Sequence, residues 1–216
     1  MPRLNDTLWQ DIRYAVRLLK NSPGFAAIAI LSLALGIGAN TAIFSIMDAV
    51  MLKYLPVRDP GQLYQIAAAS EKNSSFTNPI WEALRDSQDI FSGIFAWSTT
   101  RFNVASGGEA KDVQGIYASG GFFSTLGVNA VAGRNFVAAD DRRGCPGAAV
   151  ISYGFWQQRY GGDSSAIGKT VSLDGHPFPI IGVTPPGFFG VDVGRSFDVA
   201  IPICAQPLIQ GESILD

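Results

Sequence analysis

The sequence predicts an α+β domain carried behind a single membrane-spanning helix. Three observations predict it: a long run without charge near the N-terminus, a remainder of mixed composition punctuated by Gly and Pro, and two hairpin signals in which extended runs flank turn residues. Strands and helices alternate without the regular spacing of a doubly wound sheet, which favours α+β over α/β.

The uncharged run decides the class. The 216 residues are 47% hydrophobic and only 16% charged, against about 25% charged in ordinary soluble domains. The deficit sits in Ser22 to Met47, which holds no Asp, Glu, Lys, Arg or His across 26 residues. As a helix that run is about 39 Å long, against a hydrocarbon core of about 30 Å. A cleavable signal has an apolar core of only about 7 to 15 residues, so a retained helix over roughly Gly24 to Val50 is expected.

Ahead of it, Leu4, Leu8, Ile12, Ala15, Val16 and Leu19 recur at steps of three and four, with Arg3, Arg13, Arg17 and Lys20 mostly on other faces. That pattern suits the membrane surface or a face packed on another protein element. Asn21-Ser22-Pro23-Gly24 breaks this helix, and Pro23 fits the first turn of the next. Four basic residues precede the span, while Lys53 and Arg58 are the near ones after it, which favours a cytoplasmic N-terminus. The expected organisation is a cytoplasmic amphipathic helix (1–22), a transmembrane helix (23–52) and a periplasmic core domain (53–216) that is incomplete.

Within the span, Ser32, Gly36 and Asn40 lie four apart and share one face, broadened by Gly38, Thr41 and Ser45. Small residues let backbones approach, and an Asn in hydrocarbon needs a hydrogen-bond partner. This face is therefore expected to pack against other transmembrane helices, those of a second copy or of a longer polypeptide.

Beyond the span, Leu63 to Ala69 reads as a strand, and Thr77 caps a short helix ending near Gln88. Phe91 to Trp97 and Arg101 to Ala105 read as strands, and Asp112 to Ala118 returns after Ser106-Gly107-Gly108-Glu109. Phe122, Phe123 and Leu126 sit on a short helix closed by Gly127. Ala148 to Ile151 is an apolar strand running into a helix at Ser152 to Tyr160. Thr170 to Leu173 and Phe178 to Val183 flank the turn Asp174-Gly175, and Phe197 to Ile203 is the last strand.

Chemistry finds little purchase. A net charge of −2 and a pI near 5.4 give no long-range attraction to phosphate, so nucleic acid is not an expected partner. Gly162 to Thr170 differs from a phosphate-binding loop, with five residues between Gly162 and Gly168 where the motif has four. Asp140 and Asp141 are adjacent, precede Arg142-Arg143 and read as a solvated loop rather than an acid/base pair. His176 is the only histidine and has no second to share a metal. Ser124 and Ser152 lack a nucleophile-elbow setting. Phe122, Phe123, Phe155, Trp156, Phe188 and Phe189 read as packing residues. Cys145 and Cys204 could pair outside the cytoplasm, but two free thiols are the favoured reading. No enzyme activity, catalytic residue, metal or cofactor is expected.

Several stretches together resemble the permease subunits of ABC transporters in the MacB/FtsX-like group, especially the acidobacterial duplicated type. They include Asp11-Ile12-Arg13-Tyr14-Ala15, Ser22-Pro23-Gly24-Phe25 and the run Leu33 to Ser45. Beyond the membrane they include Phe122 to Val128, Gly133-Arg134-Asn135-Phe136, Ile151 to Gly162 and Ile167 to Gly175. The resemblance implies a transmembrane helix, a periplasmic α+β domain and further membrane helices in a bacterial inner membrane. It also implies an ABC ATPase subunit whose hydrolysis moves the periplasmic domain, with membrane lipid around the helices. The later helices do not occur before Asp216, so a portion of a longer permease is expected. A single-span anchored sensor or binding module is the alternative.

Overall fold

The computed structural model describes residues 4–47, 55–67, 75–106 and 109–215. Several sequence expectations fall outside them: the span beyond Met47 together with Lys53, Ala68 and Ala69 of the first expected strand, and the Gly107-Gly108 turn tip. So do the side chains of Arg3, Leu4, Leu8 and Ile12. The chain divides into two compact units, Met1–Lys53 and Tyr54–Asp216.

The first unit is helical. Helix α1 spans Leu4–Asn21, and α2 spans Pro23–Met47. The break falls at Ser22, where Pro23 has no amide hydrogen to offer the preceding helix but starts a new one without cost. In α1, Arg13, Arg17 and Lys20 are exposed, and so are Val16 and Leu19. In α2, the stretch Pro23–Ser45 is long and apolar enough to cross a membrane, and none of it is buried inside the protein.

The second unit is a mixed sheet covered on both faces. Its strands are β1 (Trp97–Ser106), β2 (Glu109–Ala118), β3 (Ala132–Gly133), β4 (Ala149–Ile151), β5 (Thr170–Leu173), β6 (His176–Val183) and β7 (Val199–Pro202). The order across the sheet is β1-β2-β7-β4-β6-β3, with β5 paired to β6 alone. β2 runs parallel to β7 and β4 parallel to β6, while the remaining pairs are antiparallel. Helices α3 (Asn78–Ser87), α4 (Phe122–Thr125), α5 (Tyr153–Tyr160) and α6 (Gln206–Gln210) complete the unit.

Period-two alternation sorts the strand residues into two cores. Val199, Ile201, Ala149 and Ile151 join Phe102, Val104, Phe155, Leu173 and Phe178 on one side. Ala200, Val150, Ile116 and Ala118 face the other side, with Phe122, Phe123, Phe136, Phe188 and Phe197. Edge-to-face ring contacts knit that second core, among them Phe122 on Phe123 at 5.1 Å and Phe188 on Phe197 at 5.9 Å between centroids. Such pairs add about 0.5–1.5 kcal/mol beyond the area they bury. Gly115 is required where it stands, because a Cβ there would run into the Phe102 ring across the β1–β2 pair.

The β5–β6 hairpin and α5 form where local turn chemistry specifies them, whereas Thr77 stands at the N-cap of α3 without a side-chain cap hydrogen bond. Asp174 and Gly175 both take positive φ, 50° and 85°, the type I′ geometry that matches the twist of the flanking strands. Ser152 caps α5 by accepting the Phe155 amide at 3.1 Å, and Gly161 closes it at φ 63°. Elsewhere the structure corrects the reading. Residues 63–67 form no strand, and β1 begins only at Trp97, so Phe91 to Ala96 is irregular. Strand identity requires a pairing partner, which composition does not supply.

Cys145 and Cys204 form a disulfide across 59 positions, against the favoured reading of two free thiols. The link ties the turn after Asp141 to the end of β7. Closing a loop of that length stabilises by about 4 kcal/mol in the chain-entropy account. Reduction, or Cys204→Ser, is therefore expected to lower the thermal midpoint of the full chain by roughly 10 °C. Scanning calorimetry with and without dithiothreitol checks this, and an unchanged midpoint contradicts it.

Candidate helix-packing face and extracytoplasmic cleft

α2 presents its small and polar residues outward. Ser32, Gly36 and Asn40 are all exposed, and a Cβ placed on Gly36 or on Gly38 would meet nothing within 4 Å. Thr41 returns its hydroxyl to the Ile37 carbonyl at 2.8 Å, so its polarity is satisfied within the helix. Among the described residues the Asn40 side chain makes no hydrogen bond. The structure thus brings the three residues onto one exposed face of α2.

In the second unit, the adjacent carboxylates Asp140 and Asp141 do different work, and neither is a merely solvated loop residue. Asp141 is buried and accepts two backbone amides, Gly120 at 2.8 Å and Cys204 at 3.0 Å. It therefore joins the chain just beyond β2 to the chain just beyond β7, beside the disulfide. Sequence reading missed this because the partners lie 21 and 63 positions away. Asp140 points the other way. Its carboxylate pairs with both terminal nitrogens of Arg134, one of them at 3.0 Å, and accepts the Val137 amide at 2.9 Å. The Arg134 hydrogen bond, ahead of the Val137 amide, holds the Asp140 carboxyl below the usual carboxylate range despite partial burial.

The same loop reaches α3. Arg143 grips Glu82 through two nitrogens at 3.0 and 3.1 Å, and donates to the Leu215 carbonyl at 3.0 Å. That guanidinium lowers the Glu82 carboxyl in turn. α3 carries Trp81 and Leu84 into the wall of an open cleft of about 1130 Å³, which Leu63, Tyr64, Phe95 and Trp97 also line. Arg58, Asp59, Asp192 and Arg195 supply its charges. This is a large, mixed and solvent-open concavity, without the enclosed apolar character of a small-molecule site.

A profile of the MacB-like periplasmic core domain matches residues 26–214. The chain belongs to the MacB-like periplasmic core domain family. The sequence resemblance to MacB/FtsX-like ABC permeases is thereby upheld, as is the mixed α/β architecture behind one apolar helix. The family places the chain among transporter permeases rather than enzymes, and gives it an extracytoplasmic domain on a membrane anchor.

The extracellular domain of the noncanonic ABC-type transporter YknZ from Gram-positive bacteria shares its fold. TM-score is 0.51 at 20% identity, over 69% of this chain and 75% of that one. The periplasmic region of MacB from Actinobacillus actinomycetemcomitans gives TM-score 0.46 at 14% identity, over 61% of this chain and 58% of that region. No curated protein matches the chain significantly.

Within this MacB-like domain the remaining sequence candidates are structural. Ser152 is the α5 cap, and Ser124 donates to the Gly121 carbonyl. His176 is exposed at the start of β6. Asp163 caps a short turn by accepting the Ser165 amide at 2.8 Å, so the Gly162–Thr170 stretch is a turn entering β5 and no phosphate cradle. Phe122, Phe123, Phe155 and Phe188 are buried, with Trp156 and Phe189 partly so. Among the described residues no group of three or more His, Cys, Asp or Glu is placed to hold a metal.

Two stability outcomes follow from the carboxylates. Asp141→Ala orphans two buried amides, each costing about 1–3 kcal/mol, whereas Asp141→Asn keeps one acceptor. Urea unfolding is expected to rank wild type above Asn above Ala, and equal midpoints for the two variants contradict the bridging role. For Asp140 the folded value is depressed, so its contribution is complete above the ordinary carboxylate range and fades as pH falls through the folded value. Arg134→Met should cost only about 0.5–1 kcal/mol at neutral pH, since the Arg134 end of the pair is exposed to solvent. That difference should shrink as pH falls below the ordinary carboxylate range and through the lowered folded value.

Proposed function

We propose that the chain is part of an ABC-type permease that couples ATP hydrolysis by a partner ATPase to motion of its extracytoplasmic domain. The observation that carries this reading is the free face of α2, where Ser32, Gly36 and Asn40 stand in line on an apolar helix joined to a MacB-like core domain. In hydrocarbon there is no hydrophobic force between helices, so close backbone approach and interhelical hydrogen bonds drive their association. Gly36 provides the approach and Asn40 the bond. The partner helices come from a second permease copy or from the rest of a longer polypeptide.

On this reading α1 lies on the cytoplasmic surface of a bacterial inner membrane, with its basic residues toward anionic lipid headgroups. The domain of 53–216 stands in the periplasm, and the disulfide suits that oxidising compartment. The core domain supplies no catalytic residue. It works as a rigid body moved by the helices, its two ends beyond β2 and β7 held together by Asp141 and the Cys145–Cys204 bond.

Gly36→Leu places a branched side chain where a neighbouring backbone is to pass, and Asn40→Leu deletes the polar bond, worth about 0.6–2 kcal/mol in lipid. Each is expected to reduce association of α2 with partner helices by roughly threefold to thirtyfold, measured by energy transfer between labelled helices in liposomes. The ATPase subunit is expected to co-purify with the wild-type permease and less with Gly36→Leu. Association unchanged in both variants would reject the packing face.

A further inference from the structure

β1 is the terminal strand of the sheet, and its outer edge is only partly protected. The ladder to β2 uses the backbone groups of alternate residues, and the register Trp97↔Ala118, Thr99↔Ile116, Arg101↔Gln114 and Asn103↔Asp112 turns those of 97, 99, 101 and 103 outward. The Gln114 carbonyl accepting the Asp198 amide on the opposite side of β2 fixes that parity. At Asn103 the chain covers its own edge. The Asn103 amide donates to the Asp174 carboxylate and the Asn103 carbonyl accepts the Asp174 amide, both at 2.9 Å.

That protection stops there. Among the described residues the outward N–H and C=O groups of Trp97, Thr99 and Arg101 have no partner. Thr99 and Arg101 are exposed and Trp97 is half-buried. Exposed edges of this kind are ordinarily blunted, because they template pairing with another chain.

The open stretch also lies where a strand would fit. Trp97 and Thr99 line the cleft of about 1130 Å³, and both also line a neighbouring groove of about 610 Å³ that holds Arg101 and Arg195. Asp192 also lines that groove, and neither arginine has an ion-pair partner among the described residues. We infer that the Trp97–Arg101 edge is a docking site for an extended segment of a partner polypeptide, which adds to the sheet as a strand beyond β1.

The backbone sets this chemistry. Donors and acceptors repeating every second residue, about 6.8 Å apart, match an extended peptide and no compact ligand. Side chains set the preference: an apolar residue beside Trp97 and a carboxylate four residues along, beside Arg101. The inference stands apart from the ATP-coupling reading, since it concerns what the domain holds and not what moves it.

The test uses the full chain in detergent and a phage-displayed library of random linear ten-residue peptides. Acidic peptides with an apolar residue four positions from the carboxylate are expected to enrich, and the synthesised winner should slow amide exchange at Thr99 and Arg101. Thr99→Pro deletes an outward amide while leaving the β1–β2 ladder intact, a position where an edge strand tolerates proline. It should weaken the peptide about tenfold by fluorescence polarisation. Arg101→Glu, which needs no backbone adjustment, should shift selection from acidic to basic peptides. The inference is overturned if no peptide enriches, if both variants select and bind as the wild type does, or if Thr99 and Arg101 are already protected in the free protein.

Discussion

A backbone N–H or C=O in hydrocarbon has no water to turn to, and each one left unpaired costs several kcal/mol. α2 meets that constraint with helical hydrogen bonds along 25 residues free of charged side chains. Everything else in the account follows from accepting the bilayer as its solvent. In water the exposed apolar surface of Ile28, Leu31, Leu35 and Phe44 would be a liability. In lipid it is neutral, and the small and polar residues become the ones that must find protein. The same residues that look incidental in a soluble helix thereby become the best candidates for a contact.

The extracytoplasmic unit obeys a different rule. Its central strands are buried on both faces, so their side chains divide between two cores, and the connections must close over the sheet ends. The turn from Asp140 to Cys145 does that closing. It gathers Gly120, Cys204, Glu82 and Leu215 through one carboxylate, one disulfide and one guanidinium. A link between the cleft-wall helix α3 and the C-terminal segment at Leu215 therefore runs through Arg143.

Legibility in the sequence tracked the range of the forces involved. The start of α2, the break at Ser22, the Ser152 cap and the Asp174-Gly175 turn are specified within a few residues, and each forms where those residues place it. The Cys145–Cys204 bond and the Asp141 bridge are tertiary, and nothing in the neighbourhood of Asp141 reveals that two distant amides converge on it. Leu63 to Ala69 shows the converse failure. Its β-favouring residues suggest a strand, yet residues 63–67 form none with the described residues, and 63–66 line the cleft instead. On the candidate face, spacing alone put Ser32, Gly36 and Asn40 together. The open β1 edge could not be read at all, since being terminal is a property of the whole sheet.

The central claim is that the uncharged helix resides in lipid and is retained. Alkaline carbonate washing of membranes, followed by intact-mass measurement of the pelleted protein, tests it most directly. The account predicts a membrane-pelleted chain whose mass still includes Pro23 to Met47. Release into the supernatant, or a mature N-terminus beyond Ala39, would contradict it.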